Sequence, residues 1–336
     1  MTTIIRNKEL KRLNTFGIAA TAAGYAEFRD KDDLDAVFAD TDWQGKPWTV
    51  ISGGSNLLLS GDYDGLVLHP VSDTITEISR NADSVIVRAE AGLDWDTFVA
   101  WSVEQGYGGL ENLSDIPGFV GACPIQNIGA YGAEVKDTIT EVEFYELATG
   151  EIRNFDNADC GFGYRDSIFK RDLKGKAIVL AVTFRLSLHP RFNLGYGDLQ
   201  RETETLGGAS LENVRRAVMA IRAAKLPDPK VLGNSGSFFK NPVVPAEQAE
   251  ALKEKYPEMP QYPAANGVKL AAGWMIDRVG LKGYRQGDAG VHEKQALVLV
   301  NYGNASGADI LALADHVITS VRDRFDVTIE REVNLL

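Results

Sequence analysis

An α+β chain is predicted by three observations. Segments rich in β-branched and aromatic residues dominate residues 45–190, few helical periods separate them, and helical periodicity gathers only after Ser210. A regular βαβ chain would instead alternate the two patterns along its whole length.

The elements follow in order. Thr49–Ile51 is a short β-rich run that stops at Ser52-Gly53-Gly54-Ser55-Asn56, and Leu57–Leu59 resumes an apolar run. Leu66–Leu68, Val85–Ala89, Val142–Tyr145 and Ile178–Leu186 read as further strands. Between them Asp94–Gln105 reads as a helix, with Asp94 as N-cap and Trp95, Phe98, Val99 and Val103 on one face. Leu211, Val214, Val218 and Ile221 mark a helix that must end before Leu226-Pro227-Asp228-Pro229, because proline cannot continue it. Pro245–Tyr256 and Ala271–Val279 are further helices, and Leu297–Val300 is a strand. Ser306 caps a long helix that turns Ile310, Leu313, Val317, Val321 and Phe325 inward, and Val327–Leu336 is extended. The proline-bracketed segment near residue 226 marks the boundary to a smaller, helix-rich domain.

The totals narrow the function. At 336 residues, with 44% hydrophobic and 24% charged residues, the chain is globular and long enough for two or three domains. Arg6, Lys8, Lys11 and Arg12 stand near the start without a long apolar run, so no secretory signal is expected. Only Cys123 and Cys160 are present, too few for a disulfide framework and suited to a reducing compartment. A soluble, cytoplasmic protein is expected. The net charge of −12 argues against a nucleic-acid partner. An anionic small molecule would need a local exception, such as converging backbone N–H groups or a few placed cations.

Common signatures are missing. No G-x-G-x-x-G occurs, and neither Gly45-Lys46 nor Gly175-Lys176 is followed by Ser or Thr. His69, His189, His292 and His316 are scattered without metal-ligand spacing, so no metal centre is expected. Gly233-Asn234-Ser235-Gly236-Ser237 fails as a nucleophile elbow because Ser237 stands where that motif needs glycine.

Three glycine-rich segments carry the chemistry instead. Gly53-Gly54-Ser55-Asn56-Leu57 follows a strand, and adjacent glycines let backbone N–H groups converge on a phosphate; taken alone, the segment reads first as a plain tight turn. The run from Ile116 to Gly132 holds four glycines and two prolines, with only Gln126, Asn127 and Tyr131 offering polar side chains. That composition suits a flat ligand gripped by backbone rather than a surface connection. In Gly233-Asn234-Ser235-Gly236-Ser237-Phe238-Phe239-Lys240-Asn241-Pro242, Ser237 lies between a glycine and two aromatics, which suits either a partly dry hydroxyl or a loop entering a strand.

Together these segments resemble the UDP-N-acetylenolpyruvoylglucosamine reductase family, from Asn14-Thr15-Phe16-Gly17 to Glu332-Val333. The resemblance implies a two-lobed FAD-binding fold of the vanillyl-alcohol-oxidase/PCMH type with a smaller α+β substrate-binding domain. Residues 1–70 with 327–336 would form the first FAD lobe, 71–225 the second, and 226–326 the substrate domain. Non-covalent FAD would be held by Gly53, Gly54, Ser55, Asn56, Leu57, Ile116, Pro117, Gly121, Ala122, Ile125, Gln126, Asn127, Ile128, Gly129, Tyr131 and Arg165.

The implied reaction reduces UDP-N-acetylglucosamine enolpyruvate to UDP-N-acetylmuramate with NADPH as co-substrate, in peptidoglycan precursor synthesis. Hydride passes through the flavin to C3, and a proton goes to C2. Arg165, in Gly163-Tyr164-Arg165-Asp166-Ser167, would face the substrate carboxylate, where a forked guanidinium fits; without the family it would read as an ion-pair partner of Asp166. Ser237 matches the proton donor, and Glu332 the carboxyl that helps spread the developing charge. Glu330 shares a strand face with Glu332, so the choice between them rests on the resemblance. Tyr164 and Lys225 match substrate-binding groups. Tyr196, Asn241 and Gln295 match those holding the substrate diphosphate and an associated monovalent or divalent cation, and the Tyr196 loop looks like the longer of two family forms. A monomer is expected.

Two other readings compete. An FAD oxidase of the wider fold would need none of Ser237, Lys225 or Gln295, and His69 or Cys123 would then be formal points of covalent flavin attachment. A non-catalytic binding protein would need no proton donor.

Overall fold

A computed structural model of the chain describes residues 3–264 and 266–336. The chain separates into two compact units. One comprises the described residues up to Lys8 together with Ala22–Gly53 and Asp64–Ala224; the other comprises Glu9–Thr21, Gly54–Tyr63 and Lys225–Leu336.

Two sheets build the first unit. In the smaller, the order is Ile5–Glu9, Thr21–Phe28, Tyr63–Pro70, Trp48–Val50, the last two strands running parallel. The helix Lys31–Ala39, capped by the Asp30 carboxylate on the Asp33 N–H (3.1 Å), buries Leu34 and Val37 in a cluster with Phe28, Leu66 and Leu68. The larger sheet is antiparallel throughout, in the order Glu151–Asp156, Ile139–Glu146, Ala177–Ser187, Ser84–Glu90, Ile75–Arg80. Its buried face holds Val85, Val87, Phe144, Val182 and Phe184, onto which the helix Trp95–Glu104 presses Trp95, Phe98 and Val99. Each such side chain contributes roughly 1.5–3 kcal/mol by leaving water. Asp94 caps this helix as expected (2.8 Å to the Thr97 N–H), but Ser102 takes the buried position and Val103 is only half-buried. The Ser102 hydroxyl is satisfied there by donating to the Val99 carbonyl at 2.8 Å.

The helix Leu211–Lys225 buries Val214, Ala217, Val218 and Ile221 and stops before Pro227. Arg215 makes a forked pair with Asp96 (2.6 and 2.8 Å), and Arg222 reaches Asp115 at 3.2 Å. Burial alone would raise the Asp96 carboxyl, yet the hydrogen bonds from Arg215 and the Asp115 backbone hold it below the ordinary range.

In the second unit an antiparallel sheet runs Gly233–Ser237, Val298–Asn301, Ala289–Val291, Arg285–Gln286. A three-stranded sheet (Val243–Val244, Gly267–Leu270, Gln261–Ala264) and the helices Ala246–Lys255, Ala272–Arg278 and Gly307–Phe325 complete it. Ser306 and Asp309 form a capping box on the last helix, and Ile310, Leu313, Val317, Val321 and Phe325 are buried as expected. The C-terminal segment is extended without being one continuous strand. It makes a single bridge, Arg331 with Phe239, and a two-residue strand, Asn334–Leu335, parallel to Leu57–Leu58.

Among the described residues no helix is long and apolar enough to cross a membrane, and no group of three His, Cys, Asp or Glu side chains is arranged to hold a metal ion.

Candidate active site

Within the first unit the glycine segments close on backbone. A Cβ on Gly53 would stand 3.1 Å from the Gly118 Cα, and one on Gly121 would stand 2.6 Å from the Ala91 Cβ. A side chain would thus be crowded where the loop following Trp48–Val50 meets the Ile116–Gly132 segment. That segment is tied down rather than loose. Trp95 N–H donates to the Gly118 carbonyl (2.9 Å), Val120 N–H to Leu93 (2.8 Å) and Gly121 N–H to Ala91 (3.0 Å). Ile116, Gly121, Ala122, Ile125, Gln126, Ile128, Gly129 and Tyr131 are all half-buried, and Pro117 is exposed. A rigid, half-buried rim of small and apolar groups fits a flat, aromatic cofactor.

The segment ends in a hairpin. Gly129–Ala130 pairs with Ala133–Glu134, and its two turn residues, Tyr131 (φ +50°) and Gly132 (φ +79°), have the left-handed backbone that a tight hairpin requires. Asn127 locks its base. It is fully buried; its Nδ2 donates to the Glu134 carboxylate (3.0 Å) and the Gly163 carbonyl (2.9 Å), and its Oδ1 accepts the Lys136 N–H (3.1 Å). The Asn127 side chain is therefore engaged inside the fold, which leaves its backbone to meet a ligand.

Arg165 comes to the same hairpin from a tight turn between Gly163 and Asp166, at φ +53°. Its guanidinium donates to the Gly129 carbonyl at 2.6 Å and lies 5.5 Å from the centre of the exposed Tyr164 ring. A Cβ on Gly129 would come within 3.0 Å of the Arg165 Nη1, so that glycine makes room for the cation. Asp166 is ion-paired with Arg171.

Tyr196 is exposed and sets its ring edge-on to Tyr131, centres 6.0 Å apart. Sequence reasoning missed the residue beneath this pair. Buried Asn112 donates to the carbonyls of both Tyr131 and Asn193, each at 2.8 Å, joining the hairpin to the loop that bears Tyr196. Burial raises the Tyr131 phenol, partly countered by Arg222. Neither residue carries a sequence signal, since a lone Asn or Arg outside a motif looks like surface.

The second unit holds the remaining candidates. Gly54, Ser55, Asn56 and Leu57 are anchored there: Thr15 N–H donates to Gly54, Asn334 N–H to Asn56 (3.1 Å), and the Ser235 hydroxyl to Leu57 (3.0 Å). Gly233 lies so close to Phe16 that a Cβ would stand 2.3 Å from its carbonyl oxygen. Along Gly233–Ser237 the register slips by one residue: Asn234 opposes Val300, but Ser237 opposes Val298. This is a β-bulge, and Gly236 supplies its left-handed residue at φ +67°. The extra residue turns Ser237 to the face that Gly236 would otherwise occupy.

The C-terminal segment pairs with the residues that follow this bulge. Glu332 N–H donates to the Phe238 carbonyl and Lys240 N–H to Glu330, flanking the Phe239–Arg331 bridge. Glu332 is half-buried beside the Ser237-Phe238 backbone, whereas the Glu330 side chain is 74% exposed and ion-paired with Lys240 at 3.5 Å. Asn241 Oδ1 accepts the Ala272 N–H (3.0 Å), and Gln295 Oε1 lies 3.5 Å from the Cβ position of Gly273. Both amides thus meet at the start of the Ala272–Arg278 helix. Lys225 is exposed. Cys123 is buried, and burial pushes its thiol well above the ordinary value, so it offers no thiolate for covalent attachment.

Comparisons with known proteins identify the family. Residues 22–156 match the model of an FAD-binding domain, and residues 228–336 that of the UDP-N-acetylenolpyruvoylglucosamine reductase C-terminal domain. The chain is 52% identical over 332 residues to the UDP-N-acetylenolpyruvoylglucosamine reductase of Chromobacterium violaceum, covering 98% of this chain and 97% of the relative. Against the Pseudomonas aeruginosa enzyme of that name identity is 50%, with 97% of each chain covered. The crystal structure of UDP-N-acetylenolpyruvylglucosamine reductase from Thermus caldophilus superposes with a TM-score of 0.68 at 23% identity, over 100% of this chain and 98% of that one, and so shares the fold. An FAD-binding domain joined to this C-terminal domain, with such identity along nearly the whole chain, makes the protein a member of the UDP-N-acetylenolpyruvoylglucosamine reductase family of FAD-containing oxidoreductases.

Proposed function

We propose that the chain reduces UDP-N-acetylglucosamine enolpyruvate to UDP-N-acetylmuramate with NADPH, as a monomer in the bacterial cytoplasm. FAD, held at the glycine-rich segments, would supply the hydride chemistry between NADPH and C3 of the enolpyruvyl group. Ser237 then gives its hydroxyl proton to C2. Arg165 and Glu332 stabilise the negative charge that spreads from C2 onto the carboxylate. What supports this reading is that the Glu332 N–H donates to the Phe238 carbonyl, so a segment bearing a half-buried carboxyl pairs with the residue next to Ser237.

On this reading residues 1–70 with 327–336, and 71–225, are the FAD lobes, and 226–326 the substrate domain. Gly53–Leu57, the Ile116–Tyr131 rim and Arg165 hold the cofactor. Tyr164, Tyr196, Lys225, Asn241 and Gln295 take the sugar nucleotide, the last two amides beside its diphosphate and cation. Positive groups at Arg165 and Lys225 supply the exceptions that an anionic substrate needs on a chain of charge −12.

An anaerobic visible spectrum tests the whole. NADPH is expected to bleach the flavin band and the enolpyruvyl sugar nucleotide to restore it. Bleaching without return, followed by rapid recovery in air, would point to an oxidase; the absence of a flavin band after reconstitution would remove the redox role.

The bulge gives a narrower test. A Cβ on Gly236 meets nothing within 4 Å, so Gly236→Ala costs only backbone strain, about 1–2 kcal/mol. Thermal unfolding should show that loss. Flavin recovery with substrate is expected to slow several-fold while bleaching by NADPH is unchanged. Flavin recovery at the wild-type rate would mean that the Ser237 hydroxyl does not depend on the bulge.

A further inference from the structure

His69 has no part in the chemistry above, yet it stands beside the approach of Gly53 to Gly118 within the first unit. It lies in the strand Tyr63–Pro70, half-buried, with its ring stacked 6.0 Å from Tyr25 at 30° and tilted 5.8 Å from Phe119. Its Nδ1 is 2.7 Å from the Ile51 carbonyl oxygen. A carbonyl can only accept, so Nδ1 carries the proton and donates. Ile51 is two residues before Gly53, and Phe119 directly follows Gly118. Those two glycines approach so that a Cβ on Gly53 would be in tight contact, 3.1 Å, with the Gly118 Cα. One imidazole therefore holds the strand leading into the first glycine segment by a hydrogen bond and the second segment by ring contact.

We infer that His69 is a positioning residue for FAD: it sets the spacing between the backbone at Gly53 and the backbone at Gly118, and through that spacing the grip on the cofactor. The inference rests on the reading that these two segments hold FAD. Both contacts are needed. Tyr25 and Phe119 fix the plane of the ring, and the Ile51 carbonyl fixes its rotation, so the strut resists both separation and sliding of the segments. Asparagine carries a donor N–H at the same δ position without the ring; phenylalanine keeps the ring without the donor.

The experiment is FAD titration of apoprotein, read by quenching of flavin fluorescence, for His69→Ala, His69→Asn and His69→Phe. Loss of one neutral hydrogen bond together with the ring contact predicts FAD binding weakened about tenfold in His69→Ala. His69→Asn keeps the donor and His69→Phe keeps the ring, so each should recover only part of that affinity. FAD-saturated variants should be bleached by NADPH at the wild-type rate, because the residue acts on spacing and not on hydride transfer. Affinity within twofold of wild type in a folded His69→Ala overturns the inference. So does recovery by His69→Phe but not by His69→Asn, which would reduce the residue to packing. If His69→Ala does not fold, the Asn and Phe variants decide the matter by themselves. Wild-type apoprotein that takes up no FAD would count against the cofactor site as a whole, an outcome distinct from any of these.

Discussion

Ser237→Ala is expected to leave bleaching of the flavin by NADPH at its wild-type rate and to slow the return of the flavin band with the enolpyruvyl substrate by roughly 10²–10⁴-fold, the range of a positioned general acid. The size of the effect follows from the chemistry of the donor. A serine hydroxyl is a weak acid, so it can protonate only a strongly basic carbon, and C2 reaches that state only after hydride has arrived at C3. Removing the hydroxyl therefore stops the second half-reaction at its most charged point and does not touch the first. Stopped-flow absorbance measured separately for the two half-reactions checks this. A parallel fall in both rates would show that Ser237 serves the binding of flavin or the fold. The fold itself offers little reason for a structural role, since the neighbouring Asn234 and Ser235 side chains already tie this strand to Pro227, Leu232 and Leu57.

Much of this arrangement was legible in the sequence, for different physical reasons. The helices Trp95–Glu104 and Gly307–Phe325 announce themselves because each carries a capping residue and a one-sided apolar period, both local properties. The glycine segments were visible because close backbone approach excludes side chains, and that exclusion leaves a mark on composition. The strand Thr21–Phe28 was not visible. Its Ala-Ala-Gly core has no β preference and is buried by tertiary packing alone. Nor was the exposed edge strand Glu151–Asp156, where only Ile152 and Phe155 are apolar and they do not alternate.

The site divides in the same way. Ser237 could be singled out from its aromatic and glycine neighbours, but the bulge that turns it needs the partner register at Val298 and Val300, which no local pattern contains. Asn127 was read as a polar group offered to the flavin; it is buried and its side chain is consumed by Glu134, Lys136 and Gly163. A polar residue in an apolar, glycine-rich run can serve ligand or loop, and only the accounting of its partners separates the two.

The pair of C-terminal glutamates shows what that accounting adds. In sequence Glu330 and Glu332 are alternatives two residues apart, equal in type and in strand phase. In the fold they have different surroundings: the Glu330 carboxylate is largely in water beside Lys240, while Glu332 is half-buried and its N–H is bonded to the carbonyl that follows Ser237. Only the second can act where water is limited and a charge counts for more. Glu332→Gln is therefore expected to slow flavin recovery with substrate by roughly 10²–10³-fold, the cost of losing one stabiliser of a developing oxyanion. NADPH bleaching should be unaffected. Glu330→Gln loses an exposed ion pair worth about 0–1 kcal/mol and should recover its flavin band at nearly the wild-type rate. Single-turnover absorbance on the two variants side by side makes the comparison. A larger defect in Glu330→Gln would transfer the role to the exposed carboxylate and would require the terminal segment to shift its pairing with Phe238–Lys240 when substrate binds. Equal small defects would leave charge stabilisation to Arg165, whose guanidinium is already fixed on the Gly129 carbonyl in a unit of its own.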